Sequence, residues 1–328
     1  MKKLCLLLIM IITLTGCMAK VSPTPEPAVN AEPEDVQVFN AEVAEPTVEP
    51  EPALPPEPAQ ETVPQPTPYT PPVIENIPSG VANPFNTKYG SPFNDDGSLK
   101  NDLMAWWFGK NKNLQPPTAT QDFDIRQFDG YYLGDITSKV LYLTFDEGYE
   151  NGFTPAILDI LKEKNVPAAF FMTKPFITGN PELCKRMVEE GHIAANHTVS
   201  HKPSHTLTDD EFRYELEETA RAFKESTGYD MGMYFRPPEG VYSARVLSLA
   251  KEMGYKTVFW SFAYEDWNRD KQPGKQAAFD QITQYYHNGC VILLHAVSES
   301  NTQALGDAID YLRGQGYEFK SLNELPVY

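Results

Sequence analysis

The sequence predicts an α/β fold: a (β/α) barrel of about seven strand–helix units, set behind a disordered Pro/Glu-rich N-terminal stalk. Three observations carry that reading. From Val140 onward, apolar runs of strand length alternate with longer stretches of helical periodicity, the pattern of a parallel sheet covered by helices. Polar clusters stand where those strands end. Upstream of about residue 75 the composition cannot support a core.

The elements follow in order. Val140-Leu141-Tyr142-Leu143-Thr144-Phe145 reads as a strand and 155–164 as a helix. Residues 168–172 form a buried strand, 181–190 a helix, and 192–196 a short strand. The long helix 208–226 opens on a capping box made by Thr208 and Glu211. Strand 234–235, helix 243–253 and strand 256–261 come next, then helix 274–286, strand 290–294, helix 301–314 and a last strand over 317–320. Residues 76–104 are rich in Asn, Pro and Gly and stay ambiguous, so the folded part is expected from Ala105-Trp106-Trp107 onward.

Residues 1–17 differ from the rest of the chain. Lys2 and Lys3 precede an apolar run from Leu4 to Leu14, too short to span a bilayer and of the length of a secretory signal. The run ends in Leu14-Thr15-Gly16-Cys17, which resembles a lipobox; the resemblance implies cleavage before Cys17, a lipid on that cysteine, and a chain anchored to the membrane and facing the cell wall. An ordinary signal followed by a chance cysteine is the alternative. Residues 18–75 are dominated by Pro, Glu, Ala, Thr and Val, with about half of all the prolines and of the net charge of -18. Proline and repelling carboxylates extend such a segment, giving a stalk of roughly 100 Å at about 3.1 Å per residue, or a partner-binding tail. The acidic balance repels phosphate and excludes nucleic acid as a partner. Only Cys184 and Cys290 fall in the body of the chain, too few for a disulfide framework or a cysteine zinc site, and both read as small buried hydrophobes.

Five clusters carry the chemistry: Asp146-Glu147, His197 with His201, Arg236-Pro237-Pro238-Glu239-Gly240, Asp266-Trp267, and His295. In a parallel barrel all strand C-termini open on one face, where active sites sit. Taken singly each has a plainer account. The paired carboxylates are equally a helix cap, the histidines four apart ordinary loop residues, Arg236 a salt-bridge partner, and His295 a satisfied core histidine. His192, His205 and His287 are read as structural or exposed.

Together they resemble a known family. Thr144-Phe145-Asp146-Glu147-Gly148, Asn196-His197-Thr198-Val199-Ser200-His201, Arg236-Pro237-Pro238-Glu239-Gly240, Asp266-Trp267 and Leu294-His295 resemble, in order, the five motifs of the polysaccharide (NodB-homology, carbohydrate esterase family 4) deacetylases. Gln115-Pro116-Pro117, Tyr131-Tyr132-Leu133-Gly134, Gly148-Tyr149-Glu150-Asn151-Gly152, Phe259-Trp260-Ser261 and Leu294-His295-Ala296-Val297-Ser298 are most similar to the δ-lactam-forming branch, which acts on N-acetylmuramic acid of spore-cortex peptidoglycan.

The resemblance implies a distorted barrel and a monomeric, metal-dependent hydrolase of the N-acetyl amide of cell-wall glycan. It implies that His197 and His201 bind a divalent metal, zinc by preference with cobalt, nickel or manganese as substitutes. Asp146 would be the base, Arg236 its holder, His295 the acid and Asp266 the partner of that histidine. Tyr149, Trp267, Pro237 and Gly240 would line the sugar groove. Glu147 stands where the family places a metal-binding aspartate, and is expected as a ligand or a carboxylate just behind one. An N-acetylglucosamine deacetylase shares every catalytic motif. A glycan-binding protein without activity is the reading from another class, and it has no need of an acid–base pair.

Overall fold

The computed structural model describes residues 69–109 and 113–327; the apolar run, Cys17 and nearly all of the stalk lie outside the described residues. No helix among the described residues is long and apolar enough to cross a membrane.

The first strands are short: β1 (Met104–Ala105), β2 (Trp107–Phe108), β3 (Ala119–Thr120) and β4 (Gly130–Tyr131). The alternating body then runs β5 (Val140–Glu147), α1 (Thr154–Lys164), β6 (Ala168–Met172), α2 (Lys174–Gly179), α3 (Pro181–Glu189), β7 (Ile193–Asn196), α4 (Asp209–Thr227) and β8 (Tyr234–Phe235). It closes with β9 (Val241–Tyr242), α5 (Ala244–Glu252), β10 (Lys256–Val258), α6 (Lys275–Gln284), β11 (Cys290–His295), α7 (Glu299–Gly314) and β12 (Glu318–Phe319). The main sheet is ordered β11-β5-β6-β7-β8-β10-β4 with every pairing parallel, and β12 adds beside the start of β5. Past β10 the chain returns to β11 through a bridge between Phe262 and Ile292, so the sheet curls into the expected distorted barrel.

Period-two alternation sorts the side chains of β5. Leu141, Leu143 and Phe145 face the helix layer, packing with Leu158 and Leu161 of α1 and with Cys184 and Met187 of α3. Val140 and Tyr142 face the interior with Ala169, Phe171, Ala195, Val258 and Val291. Both body cysteines are free and buried. Thr208 and Glu211 make the expected capping box at the head of α4.

Three features depart from the expected elements. Helix α2 has no counterpart among the expected elements; Pro175 sits in its first turn, where a missing N–H costs nothing, behind the Thr173 cap. Strand 256–261 ends at Val258, and the residues after it cross toward β11. Residues upstream of Ala105 already pack. Ile74, Ile77, Phe85 and Leu99 join a second core with Trp106, and the Arg126 guanidinium lies 4.3 Å over the Phe85 ring. Trp106 anchors that segment beside the barrel mouth, stacking on Phe259 at 4.4 Å and donating Nε1–H to Trp260 O at 2.9 Å.

Candidate active site

On β5 the interior-facing phase that holds Val140 and Tyr142 continues through Thr144 to Asp146. Both meet Arg236, which follows β8 and is fully buried. Its Nη1 donates to Asp146 Oδ1 at 2.6 Å, Nη2 to Thr144 Oγ1 at 2.9 Å, and Nε to Val258 O at 2.9 Å, while the guanidinium lies 4.0 Å over the Phe171 ring. A buried charge is tolerated when its donors are spent in this way. Burial alone would raise the Asp146 carboxyl, but Arg236 first, then His197 and His295, outweigh it and hold it below the usual carboxylate range.

His197 directly follows β7. Its Nδ1 faces Arg236 O at 2.8 Å, and its Nε2 stands 3.7 Å from Asp146 Oδ2. Burial pushes this imidazole down to about 4, so it is neutral. The loop to His201 bends through left-handed backbone at Thr198 (φ 71) and His201 (φ 54), and the two rings meet at 4.9 Å between centroids. Glu215 of α4 holds that loop, accepting from Val199 N at 2.7 Å, Ser200 N at 2.8 Å and Ser200 Oγ at 2.6 Å.

His295 ends β11, where its register partner on β5 is Asp146. Its Nδ1 lies 2.7 Å from Asp266 Oδ1, its backbone N–H donates to Asp266 Oδ2 at 2.8 Å, and Asn301 donates to the same oxygen. Burial would lower the His295 pKa; Asp266 outweighs it, and the net shift is upward.

These groups share one chamber of about 820 Å³, of a size that holds a small ligand. Asp146, His197, His201 and His295 line it, with Tyr149 and Trp267 at its wall. Pro237 and Gly240 do not line it. They are buried beneath the wall, and a Cβ on Gly240 (φ 68) would fall 2.8 Å from the Trp260 ring. Glu239 and Trp260 line the chamber in their place. Asn301 and Glu215, which orient Asp266 and the histidine loop, carried no signal in the sequence because each acts from a helix through a tertiary contact.

The expectation for Glu147 is corrected. It shares the phase of Leu141, Leu143 and Phe145, so the strand turns it toward the helix layer and away from Asp146. It is fully buried and does not line the chamber, and the Thr154 hydroxyl is the one polar group among the described residues that favours its ionised form. Burial first, then Glu150 and Asp146, raise its carboxyl well above the ordinary range.

The implied divalent metal fits the two histidines. A neutral imidazole whose Nδ1 is committed to a backbone carbonyl presents a free Nε2 lone pair, the arrangement that fixes a ligand histidine. Two imidazoles beside a carboxylate suit zinc and its neighbours. No group of three His, Cys, Asp or Glu side chains among the described residues is drawn together as a preformed metal cluster.

A family model for polysaccharide deacetylases matches residues 134–258. The chain is 44% identical over 230 residues to the peptidoglycan-N-acetylmuramic acid deacetylase PdaA of Bacillus subtilis, covering 70% of this chain and 88% of that protein. It is 31% identical over 206 residues to the peptidoglycan-N-acetylglucosamine deacetylase of Bacillus cereus, covering 61% and 94%. The solved structure of Bacillus subtilis PdaA, described as a family 4 carbohydrate esterase, superposes with a TM-score of 0.68 over 69% of this chain and 98% of that one.

The placement of Glu147 has a measurable consequence. An acid raised in the folded state costs stability once pH climbs above its unfolded value, here 4.5, and the cost grows toward the folded value. Glu147→Gln is therefore expected to stabilise the chain at about pH 8, with the gain vanishing toward about pH 4.5. Urea denaturation at both ends of that window checks it. Zinc titration calorimetry should give the same affinity for Glu147→Gln and the parent; a loss of affinity would return Glu147 to the metal.

Proposed function

We propose that this chain, which belongs to the polysaccharide deacetylase family, hydrolyses the N-acetyl amide of peptidoglycan sugars and takes N-acetylmuramic acid as its sugar. The observation that carries the chemistry is the pair set side by side at the ends of β5 and β11, both lining the chamber. Asp146 is held ionised and His295 is held protonated, each by its own buried partner. Amide hydrolysis needs such a base and acid in opposite protonation states.

The residues then have separate tasks. Asp146 takes a proton from the attacking water while Arg236 fixes the carboxylate and keeps it ionised. His295, its Nδ1–H committed to Asp266, turns Nε2–H to the chamber and protonates the departing nitrogen as the C–N bond breaks. Acetate and the free sugar amine leave. His197 and His201 would hold the divalent ion, which when bound polarises the acyl oxygen and acidifies water. Tyr149 and Trp267, both exposed on the wall, offer aromatic faces to the sugar ring.

Muramic acid is supported by the stronger likeness to the relative named for it, 44% identity against 31% for the relative named for glucosamine. Such a substrate lies in the wall, which places the chain outside the cytoplasm. Leu14-Thr15-Gly16-Cys17 further supports a lipid on Cys17 as the anchor.

Four measurements test this reading. His295→Ala should lower acetate release from muramic-acid glycan by about 100-fold or more. Asp266→Asn, which removes the carboxylate that raises His295, should move the alkaline limb of the kcat profile to lower pH; an unmoved limb would separate His295 from the acid step. With peptide-trimmed glycan, mass spectrometry should find muramic acid as the free amine, or as the six-membered lactam formed when that amine condenses with the lactyl carboxyl and loses water. Glucosamine as the sole deacetylated product would reassign the sugar. Cys17→Ser should release the chain from the membrane fraction or leave the signal uncleaved; a cleaved chain still on the membrane would contradict the anchor.

A further inference from the structure

Beside the chamber stands a cation that the reaction does not use. Arg269 lies two residues beyond Trp267, with its guanidinium 5.1 Å over the ring of Tyr149. Tyr149 and Trp267 both line the chamber. The loop is fixed at its base by Asp266, bonded to His295 and Asn301, and by Gln272 Nε2, which donates to Asp266 O at 3.2 Å and Asn268 O at 2.9 Å.

The neighbouring cations are committed elsewhere. Arg236 is spent on Asp146, Lys174 pairs with Glu218 at 2.5 Å, and Lys271 pairs with Glu265 at 3.6 Å. Lys202, beside His201, is the exception: it is exposed and has no ion pair among the described residues, but it does not line the chamber. Among the described residues Arg269 has no ion pair and no hydrogen bond, and its ring contact is with a chamber-lining side chain. Across the mouth, Glu239 lines the chamber on the loop after β8, which β6 and β7 separate from β5. It is exposed, and its backbone is left-handed (φ 56, ψ 9). The mouth is thus polarised, positive beside Tyr149 and negative at Glu239.

We propose that Arg269 is the specificity-determining residue for an acidic substituent on the sugar, and that its guanidinium binds the lactyl carboxylate of muramic acid. This inference rests on the muramic reading above and assigns the residue that produces it. Muramic acid carries its carboxylate on the oxygen of C3, the carbon next to the one bearing the amide. Glucosamine has a neutral hydroxyl there. With the amide between Asp146 and His295, the lactyl group must lie at the mouth, and a free guanidinium fork matches a carboxylate with two parallel hydrogen bonds. The cation–π contact with Tyr149 restrains the guanidinium in advance, which reduces the ordering cost of binding. Glu239 repels the same carboxylate from the opposite wall and so selects one orientation of the sugar.

The full-length enzyme is assayed for acetate release on peptide-trimmed glycan with free lactyl carboxyls, and on the same glycan after its carboxyls are converted to methylamides. The parent enzyme should show a KM about 10-fold lower on the free carboxylate. Arg269→Ala should erase that difference by raising KM on the acid glycan, with kcat and the KM on the methylamide within about twofold of the parent. Arg269→Lys should restore part of it. A parent that favours the free carboxylate and an Arg269→Ala variant that keeps the full preference would overturn the assignment while leaving the muramic reading standing. A parent that deacetylates only glucosamine would overturn both.

Discussion

The buried ion pair between Arg236 and Asp146 is the constraint on which the site depends. One guanidinium reaches Asp146 and Thr144 on β5 and Val258 at the end of β10, so strands from opposite sides of the curled sheet are tied at their C-terminal ends. Thr144 passes the tie onward by donating to Ile292 O at 2.7 Å on β11, the strand that ends in His295. The backbone of the same arginine accepts from His197. Removing one partner of such a pair leaves an uncompensated charge in the core and costs about 3–5 kcal/mol. The arginine therefore both holds Asp146 and ties the strands together, and its substitution would disturb the two at once.

A second tie repeats this logic on the acid side. Asp266 is fixed by a backbone N–H, an imidazole and Asn301, and the histidine it holds ends the strand that pairs with β5. The two dyads place opposite charges on adjacent parallel strands at the same register level. That geometry follows from the barrel, because parallel pairing brings Asp146 and His295 side by side without any loop having to find the distance.

The strand–helix order and the chemistry of the strand ends were legible because period and motif residues are local signals. Asp146, His197, His201 and His295 line one chamber, with Arg236 and Asp266 bonded directly behind them. What the sequence did not disclose is side-chain phase at the strand end. Asp146 and Glu147 are neighbours in sequence, yet the pleat sends one to the chamber and the other into the apolar layer beside Cys184. Helix α2 was hidden because proline and glycine carry opposite meanings in a first turn and in a helix interior. Glu215, Asn301 and Arg269 were hidden because each works through a contact between distant elements or loops. The early packing of Phe85 on Arg126 escaped notice for the same reason: its partners lie some forty residues away.

The central claim is that two buried partners drive the protonation of base and acid in opposite directions. NMR titration of the Asp146 carboxyl carbon and the His295 ring carbons, in one sample of the metal-free chain, tests it most directly. The account predicts that Asp146 titrates below ordinary aspartates and His295 above an ordinary histidine, leaving a wide pH range in which one is ionised and the other protonated. An Asp146 carboxyl that titrates at or above the ordinary range, or a His295 that has lost its proton by then, would contradict it.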